Sequence, residues 1–482
     1  MNNPLRKLSG FAAVLLIALL INLTYVQVFN ANALRQKPGN SRTVLGEYDR
    51  QRGPITVGNK SIATSTPTQG QFSYARTYPE GSLYAHTTGY YSLLYGASGL
   101  ERVENSILSG TDDRLLVDRL SQLLAGRAPK GGSVQTTLIP DAQRTALRQL
   151  KGRRGAVLAI DPSTGAILAM VSSPTFDPNQ LASPNAATER EAWSKLQNDE
   201  DSPLLNRSIA QVYPPGSTFK LVTAAAALST GKYTKKSSIY GPASLKLPLS
   251  NNRLPNQNGK ACGTNNKTTL ENAIRISCNT ALANLGLVIG NDVIADQAEK
   301  FGFNQSFDIP LSSATSVYPR DIDRPQTALS AIGQFDVRST VLQMALVAAG
   351  IGNQGVVMKP YLVAQTRGPD LAVLDATTPT VFSQAVSADV AAQLRDMMVT
   401  VVKRGTGRRA AIPGIQVAGK TGTAQQDNGK PPHAWFVSFA PAKNPKVAVA
   451  VIIEDGDGST EISGGRLAAP IARAVMEAVL NQ

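Results

Sequence analysis

The chain begins with its longest uncharged run. Phe11–Phe29 reads FAAVLLIALLINLTYVQVF, about the length that spans a bilayer as a helix. Residues 34–53 are polar and basic with Pro and Gly, as in a stalk. Residues 54–130 mix short β-like runs with Gly-rich turns. Ser133–Leu138 alternates like a half-buried strand, and Pro140–Leu150 has a helical period with Asp141 in its first turn. Gly155–Val171 reads GAVLAIDPSTGAILAMV. Two apolar strands flank the turn Asp161-Pro162-Ser163-Thr164-Gly165, which predicts a hairpin. A polar helix is expected over 185–200, and helix-like segments dominate 217–300 and 325–352. Strands return at Gln416–Ala418, Ala434–Ala440 and Val447–Ile453, before an amphipathic helix at Ala468–Leu480. Strands at both ends with helices between predict a single sheet closed by the terminal segments.

The N-terminal run divides the chain. Arg6 and Lys7 precede it, and the first acidic residue is Glu47. Cations on that flank hold the N-terminus in the cytoplasm and place the rest of the chain outside. The expected organisation is a tail over 1–10, a membrane anchor over 11–30, a small β-containing domain over 34–145 and a larger domain over 146–482. The competing reading is a cleaved signal peptide, because Ala31-Asn32-Ala33 is an A-x-A site. Either reading puts the bulk of the chain in an oxidising compartment.

Composition narrows the chemistry. With 482 residues and 42% hydrophobic, the chain can bury a sizeable core. Lys+Arg 48 against Asp+Glu 34 gives +14, which suits anionic partners. No long basic run with interleaved aromatics marks a nucleic-acid site. There are two histidines, His86 and His433, and two cysteines, Cys262 and Cys278. That scarcity argues against a structural zinc site and leaves a Ser-His-Asp hydrolase almost no choice of base. No metal or cofactor is expected. His86 is expected to be structural. His433, just before a strand and close to Lys420-Thr421-Gly422, could line the cleft but is not expected to act in catalysis. Trp435 and Phe436 are expected to pack a sheet.

Three short motifs carry candidate chemistry. Tyr213-Pro-Pro-Gly-Ser217-Thr-Phe-Lys220 precedes the apolar run LVTAAAAL. Ser217 then stands at a helix start, where free N–H groups favour developing negative charge. Lys220, three residues on, shares its face. Burial would leave its amine neutral and able to take the Ser217 proton. Ser277-Cys278-Asn279 can present a hydroxyl to relay a proton and an amide to hold a carbonyl. Lys420-Thr421-Gly422-Thr423, after the expected strand Gln416–Ala418, offers a docking edge that glycine keeps open. Each motif alone also reads as an ordinary cap or edge.

Together, and in this order, the three motifs are those of penicillin-binding proteins and class A β-lactamases. The chain resembles class B penicillin-binding proteins along nearly its whole length. Arg52-Gly53-Pro54-Ile55, His86-x-x-Gly89-Tyr90 and Gly99-Leu100-Glu101 are similar to that family's N-terminal segment. Ser173–Asn179, Tyr213–Lys220, Ala331–Gln334, Gly419–Gln425 and Ala434–Val437 are similar to its transpeptidase domain. The resemblance implies an α+β fold: an antiparallel sheet flanked by helices, with a helical subdomain. It also implies a D,D-transpeptidase acting on peptidoglycan stem peptides and inhibited by β-lactams. Ser217 would be the nucleophile, Lys220 the base, and Ser277 and Lys420 proton relays. Asn279, Thr421, Gly422 and Thr423 would bind the substrate. The backbone N–H groups of Ser217 and Thr423 would form the oxyanion hole. No glycosyltransferase motif is visible, so the implied partner is a membrane-embedded SEDS-type glycosyltransferase.

A β-lactamase would carry an E-x-x-L-N turn after the second motif, and none follows Asn279. A D,D-carboxypeptidase differs only in using water as acceptor, and a non-catalytic scaffold or β-lactam sensor would share the fold. The cysteines add a separate expectation. They are the only pair in a chain destined for an oxidising space, which predicts a Cys262–Cys278 disulfide. It would tie the polar loop around Cys262 to the back of the second motif.

Overall fold

A computed structural model describes residues 2–30, 48–69, 72–126, 128–426, 429–458 and 462–481. The Ala31-Asn32-Ala33 site, and the expected stalk as far as residue 47, lie outside the described residues. Helix α1, Asn2–Thr24, continues as a π-helical turn over Tyr25–Phe29. Arg6–Gln27 is long and apolar enough to cross a membrane, and none of it is buried against the protein.

The first domain is built on β1 (Ile55–Val57), β2 (Lys60–Pro67), β3 (Tyr74–Thr77) and β4 (Ser133–Thr136). Helix α2 (Pro140–Leu150) then leads to the hairpin β5 (Gly155–Ile160) and β6 (Ile167–Ser173), at the predicted turn. The helical region contains α3 (Lys220–Ser229), α4 (Leu270–Ile276), α5 (Asn279–Ile289) and α6 (Val341–Gly352). After it come β7 (Val363–Arg367), β8 (Val373–Ala376) and α7 (Ala388–Arg404). The chain closes with β9 (Ala418–Ala424), β10 (His433–Ala440), β11 (Val447–Ile453) and α8 (Ala469–Leu480). The protein is α+β.

The larger sheet domain has strand order β9-β10-β11-β5-β6, antiparallel throughout. Strands from both ends of the domain thus close one sheet, as their apolar runs predict. Strand β11 reads VAVAVII and is buried on both faces. Its Ala448, Ala450 and Ile452 join the core containing α3 and α6. Its Val447, Val449, Val451 and Ile453 join a second core with α2 and α8. A two-residue side-chain period divides one apolar run between two helical layers. Ile452→Ala would cost about 2–5 kcal/mol by leaving a cavity between the sheet and the layer containing α3 and α6.

Two sequence expectations change. A division at residue 145 assigns everything later to the second domain. Strands β7 and β8 instead return to the first sheet, whose order is β8-β7-β4-β1-β2-β3. The pairing of β7 with β4 is long-range and leaves no local period to read, and β8 follows by pairing with β7. Lys420 and its neighbours also lie inside β9 rather than after it. Each residue from Ala418 to Ala424 has a partner on β10.

Candidate active site

Two elements, the turn leading into α3 and the turn between α4 and α5, meet beside the edge strand β9. Gly216–Thr218 forms a single 3-10 turn that runs into α3, with Ser217 half-buried on it. Its approach is held from two sides. Tyr213 exchanges backbone hydrogen bonds with Ser339, at 2.9 and 2.8 Å, and Gly216 N donates to Gly333 O at 2.9 Å. Gly216 has φ 52, and a Cβ there would stand 2.7 Å from Thr423 O. The turn therefore packs directly on the third motif. Gly422 is required for the same reason: a Cβ would meet Trp435 at 2.8 Å and Thr218 at 2.9 Å.

The second motif is a turn between α4 and α5. Ser277 has φ 61, in the left-handed region, and Cys278 caps α5. Ser277 and Asn279 face Lys220, while Cys278 turns inward to a disulfide with Cys262. Lys220 is fully buried. Its Nζ donates to Ser277 O at 2.8 Å and Asn279 Oδ1 at 2.7 Å, and lies 3.4 Å from Ser277 Oγ. Lys420, also fully buried, donates to Ser277 Oγ at 2.8 Å and Thr421 O at 2.7 Å. Thr421 Oγ1 is 2.6 Å from Thr406 Oγ1.

Burial, and then the nearby Lys420, push the Lys220 amine well below its ordinary range. Burial alone lowers Lys420 to about 7. A neutral amine has two N–H bonds and one lone pair. Donation to Ser277 O and Asn279 Oδ1 uses both hydrogens of Lys220. Its lone pair is then free to accept a proton, which is the state a general base needs. The arrangement can remove a proton from a serine and pass one along Ser277 Oγ, with no imidazole in the path.

The histidines lie elsewhere. His86 is held by Pro203 O at 2.8 Å, and burial lowers it to about 4. His433 Nδ1 accepts from Asp455 N at 3.2 Å. Trp435 is buried and donates from Nε1 to Pro214 O at 3.0 Å.

Sequence reasoning missed Asn256. Its buried Oδ1 accepts from the first amides of α5, Asn279 N and Thr280 N, each at 3.0 Å. Its Nδ2 donates to Pro242 O and Lys260 O, each at 2.9 Å. It caps α5 from a distant loop, beside the disulfide. Nothing local separates it from the other asparagines of NNRLPNQNGKACGTNN.

Residues 155–477 match the penicillin binding protein transpeptidase domain, and residues 52–134 match the penicillin binding protein A dimerisation domain. Over 100% of both chains, the protein is 46% identical to peptidoglycan D,D-transpeptidase PbpA of Mycolicibacterium smegmatis. It is 44% identical to the protein of that name from Mycobacterium tuberculosis, over 100% of this chain and 99% of the relative. The ceftriaxone acyl-enzyme structure of M. tuberculosis penicillin-binding protein A superposes with TM-score 0.88 at 44% identity, covering 90% of this chain and 100% of that one. With the domain match spanning both sheet termini and all three motifs, the chain belongs to the penicillin-binding protein transpeptidase family.

Proposed function

We propose that the protein is a peptidoglycan D,D-transpeptidase that works through an acyl-enzyme on Ser217 and is blocked covalently by β-lactams. The observation that carries this reading is the convergence of Lys220 and Lys420 on Ser277 Oγ. Burying two amines is costly, and a scaffold has no use for them.

In acylation, Ser217 Oγ attacks the carbonyl carbon of the D-Ala–D-Ala bond and its proton passes to Lys220. The oxyanion is met by the N–H groups of Ser217 and Thr423. The C–N bond then breaks. The departing amine of the last D-alanine takes a proton through Ser277 Oγ, which Lys420 orients. An amine from a neighbouring stem attacks the ester. Its C–N bond forms as the C–O bond to Ser217 breaks, and the proton it loses returns through Lys220 to Ser217 Oγ, leaving an amide crosslink. Asn279 holds the donor backbone, and Thr421, Gly422 and Thr423 dock the terminal carboxylate.

Helix α1 is the single anchor, with the N-terminus in the cytoplasm and both domains outside. The two matched domains include no polymerase, so a SEDS-type membrane glycosyltransferase supplies the glycan strands.

The test uses the full chain in detergent. Penicillin should add its mass to the peptide bearing Ser217. With a donor stem peptide and an amine acceptor, D-alanine release should accompany a crosslinked product. D-alanine release without crosslinking would instead indicate a carboxypeptidase, and no covalent adduct would refute the reading.

A further inference from the structure

Close to the segment that leads into Ser217 lies a buried charge cluster that the reaction above does not use. Glu454 comes directly after β11 and is 5% exposed. Its Oε1 accepts from Tyr213 Oη at 2.5 Å and Arg207 Nε at 2.9 Å. Its Oε2 accepts from Arg154 Nε at 2.8 Å and Nη2 at 2.7 Å. Arg207 is itself buried and fixed by the carbonyls of Ser202 and Asp201. A carboxylate buried between two guanidiniums is a stiff element, since any displacement leaves a charge unpaired.

The cluster touches both sides of the cleft. Tyr213 lies four residues before Ser217, on the segment that delivers the nucleophile. The Tyr213 ring meets His433 edge-on at 5.3 Å and Trp435 at 6.1 Å. His433 starts β10 and pairs with Ala424, while Ala434 pairs with Thr423. Asp455 N, next to Glu454, bonds His433 Nδ1. One carboxylate thus braces both the Ser217 turn and the strand end beside Thr423.

Resting on the acyl-enzyme reading above, we infer that Glu454 is a positioning residue. Through Tyr213 and His433 it sets the spacing between the Ser217 and Thr423 amides that receive the oxyanion. Those amides must match the transition state rather than the bound ground state. Loosening them therefore slows the chemical step and spares initial binding.

Glu454→Gln replaces one carboxylate oxygen with a donor and leaves the buried Arg207 without its carboxylate, while Arg154 keeps Asp201 at 3.7 Å and Asp455 at 3.8 Å. Tyr213→Phe removes one hydroxyl and keeps the ring. Stopped-flow acylation of the full chain by a fluorescent penicillin separates the binding constant from the acylation rate, counted per labelled site. The expected result is an acylation rate about tenfold lower for Glu454→Gln and about threefold lower for Tyr213→Phe, with binding within about twofold. The double variant should be no slower than Glu454→Gln alone, because the two share one contact. A purely structural role would lower the melting temperature and labelled fraction while labelled sites react at the parent rate. That outcome in Tyr213→Phe overturns the inference, even if Glu454→Gln does not fold. An unlabelled parent chain would instead refute the acyl-enzyme reading itself.

Discussion

Lys420 Nζ donates to Ser277 Oγ at 2.8 Å, joining an edge strand near the C-terminus to a turn in the helical region. Lys220 Nζ stands 3.4 Å from the same oxygen. One hydroxyl links two fully buried amines. Two positive charges so placed would repel in a medium that solvates neither, so the site favours neutral amine. A serine nucleophile here needs no histidine.

Ser217→Ala should abolish covalent penicillin labelling and leave the fold intact. A small polar group at a helix start contributes about 1 kcal/mol. Intact-protein mass and a melting curve check this. A retained adduct would place the nucleophile elsewhere, and a large drop in melting temperature would make Ser217 mainly a cap.

Lys220→Ala should remove acylation nearly as fully, because a serine without a base is a weak nucleophile at neutral pH. Lys220→Arg is the sharper test. It keeps hydrogen-bond donors but is a fixed cation that cannot deprotonate, so it should also fail. Acylation near the parent rate in either variant would refute the assignment of Lys220 as base.

Stability should depend on pH through Lys420. Its folded value is about 7, against about 10.4 for an unfolded lysine. Between these values the unfolded chain binds more protons, so stability rises with pH, and the penalty is complete below the folded value. Relative to Lys420→Met, the parent should gain about 2 kcal/mol between pH 7 and pH 9. Urea unfolding of both proteins at each pH reads the difference. A constant difference would mean that the amine is not depressed.

The denatured, unreduced protein should show no free thiols, since Cys262 and Cys278 are joined. In the chain-entropy model a loop of this length contributes roughly 3 kcal/mol, so Cys262→Ala with Cys278→Ala should lower the melting temperature. Two titratable thiols in the parent would contradict the bond.

Asn256→Ala should cost about 1–3 kcal/mol, because two α5 amides lose a buried acceptor. It should also slow acylation, because those amides belong to Asn279 and the residue after it. Asn256→Asp keeps the acceptor, and with it more of the rate than Asn256→Ala. Equal rates in the two variants would show that the cap does not serve the motif.

Much of the sheet was legible along the chain. Turn residues at Asp161–Gly165 and the apolar runs of β10 and β11 are local signals, and local signals survive in a linear reading. The three motifs were legible by residue type and order, because their chemistry demands a hydroxyl, amines and an amide. The cysteine pair was legible from its scarcity.

What the tertiary structure alone decided is distance. Lys220 and Lys420 became a pair only where α3, the Ser277 turn and β9 meet, and burial there depresses both amines. Strands β7 and β8 joined the first sheet across more than 200 residues, and Asn256 reached α5 from a polar loop. Glu454, one acidic residue after a strand, became the centre of a buried cluster. Sequence determines which groups a chain owns and which short segments repeat a period. Only folding brings distant groups within a few ångströms and excludes the water that would otherwise solvate them.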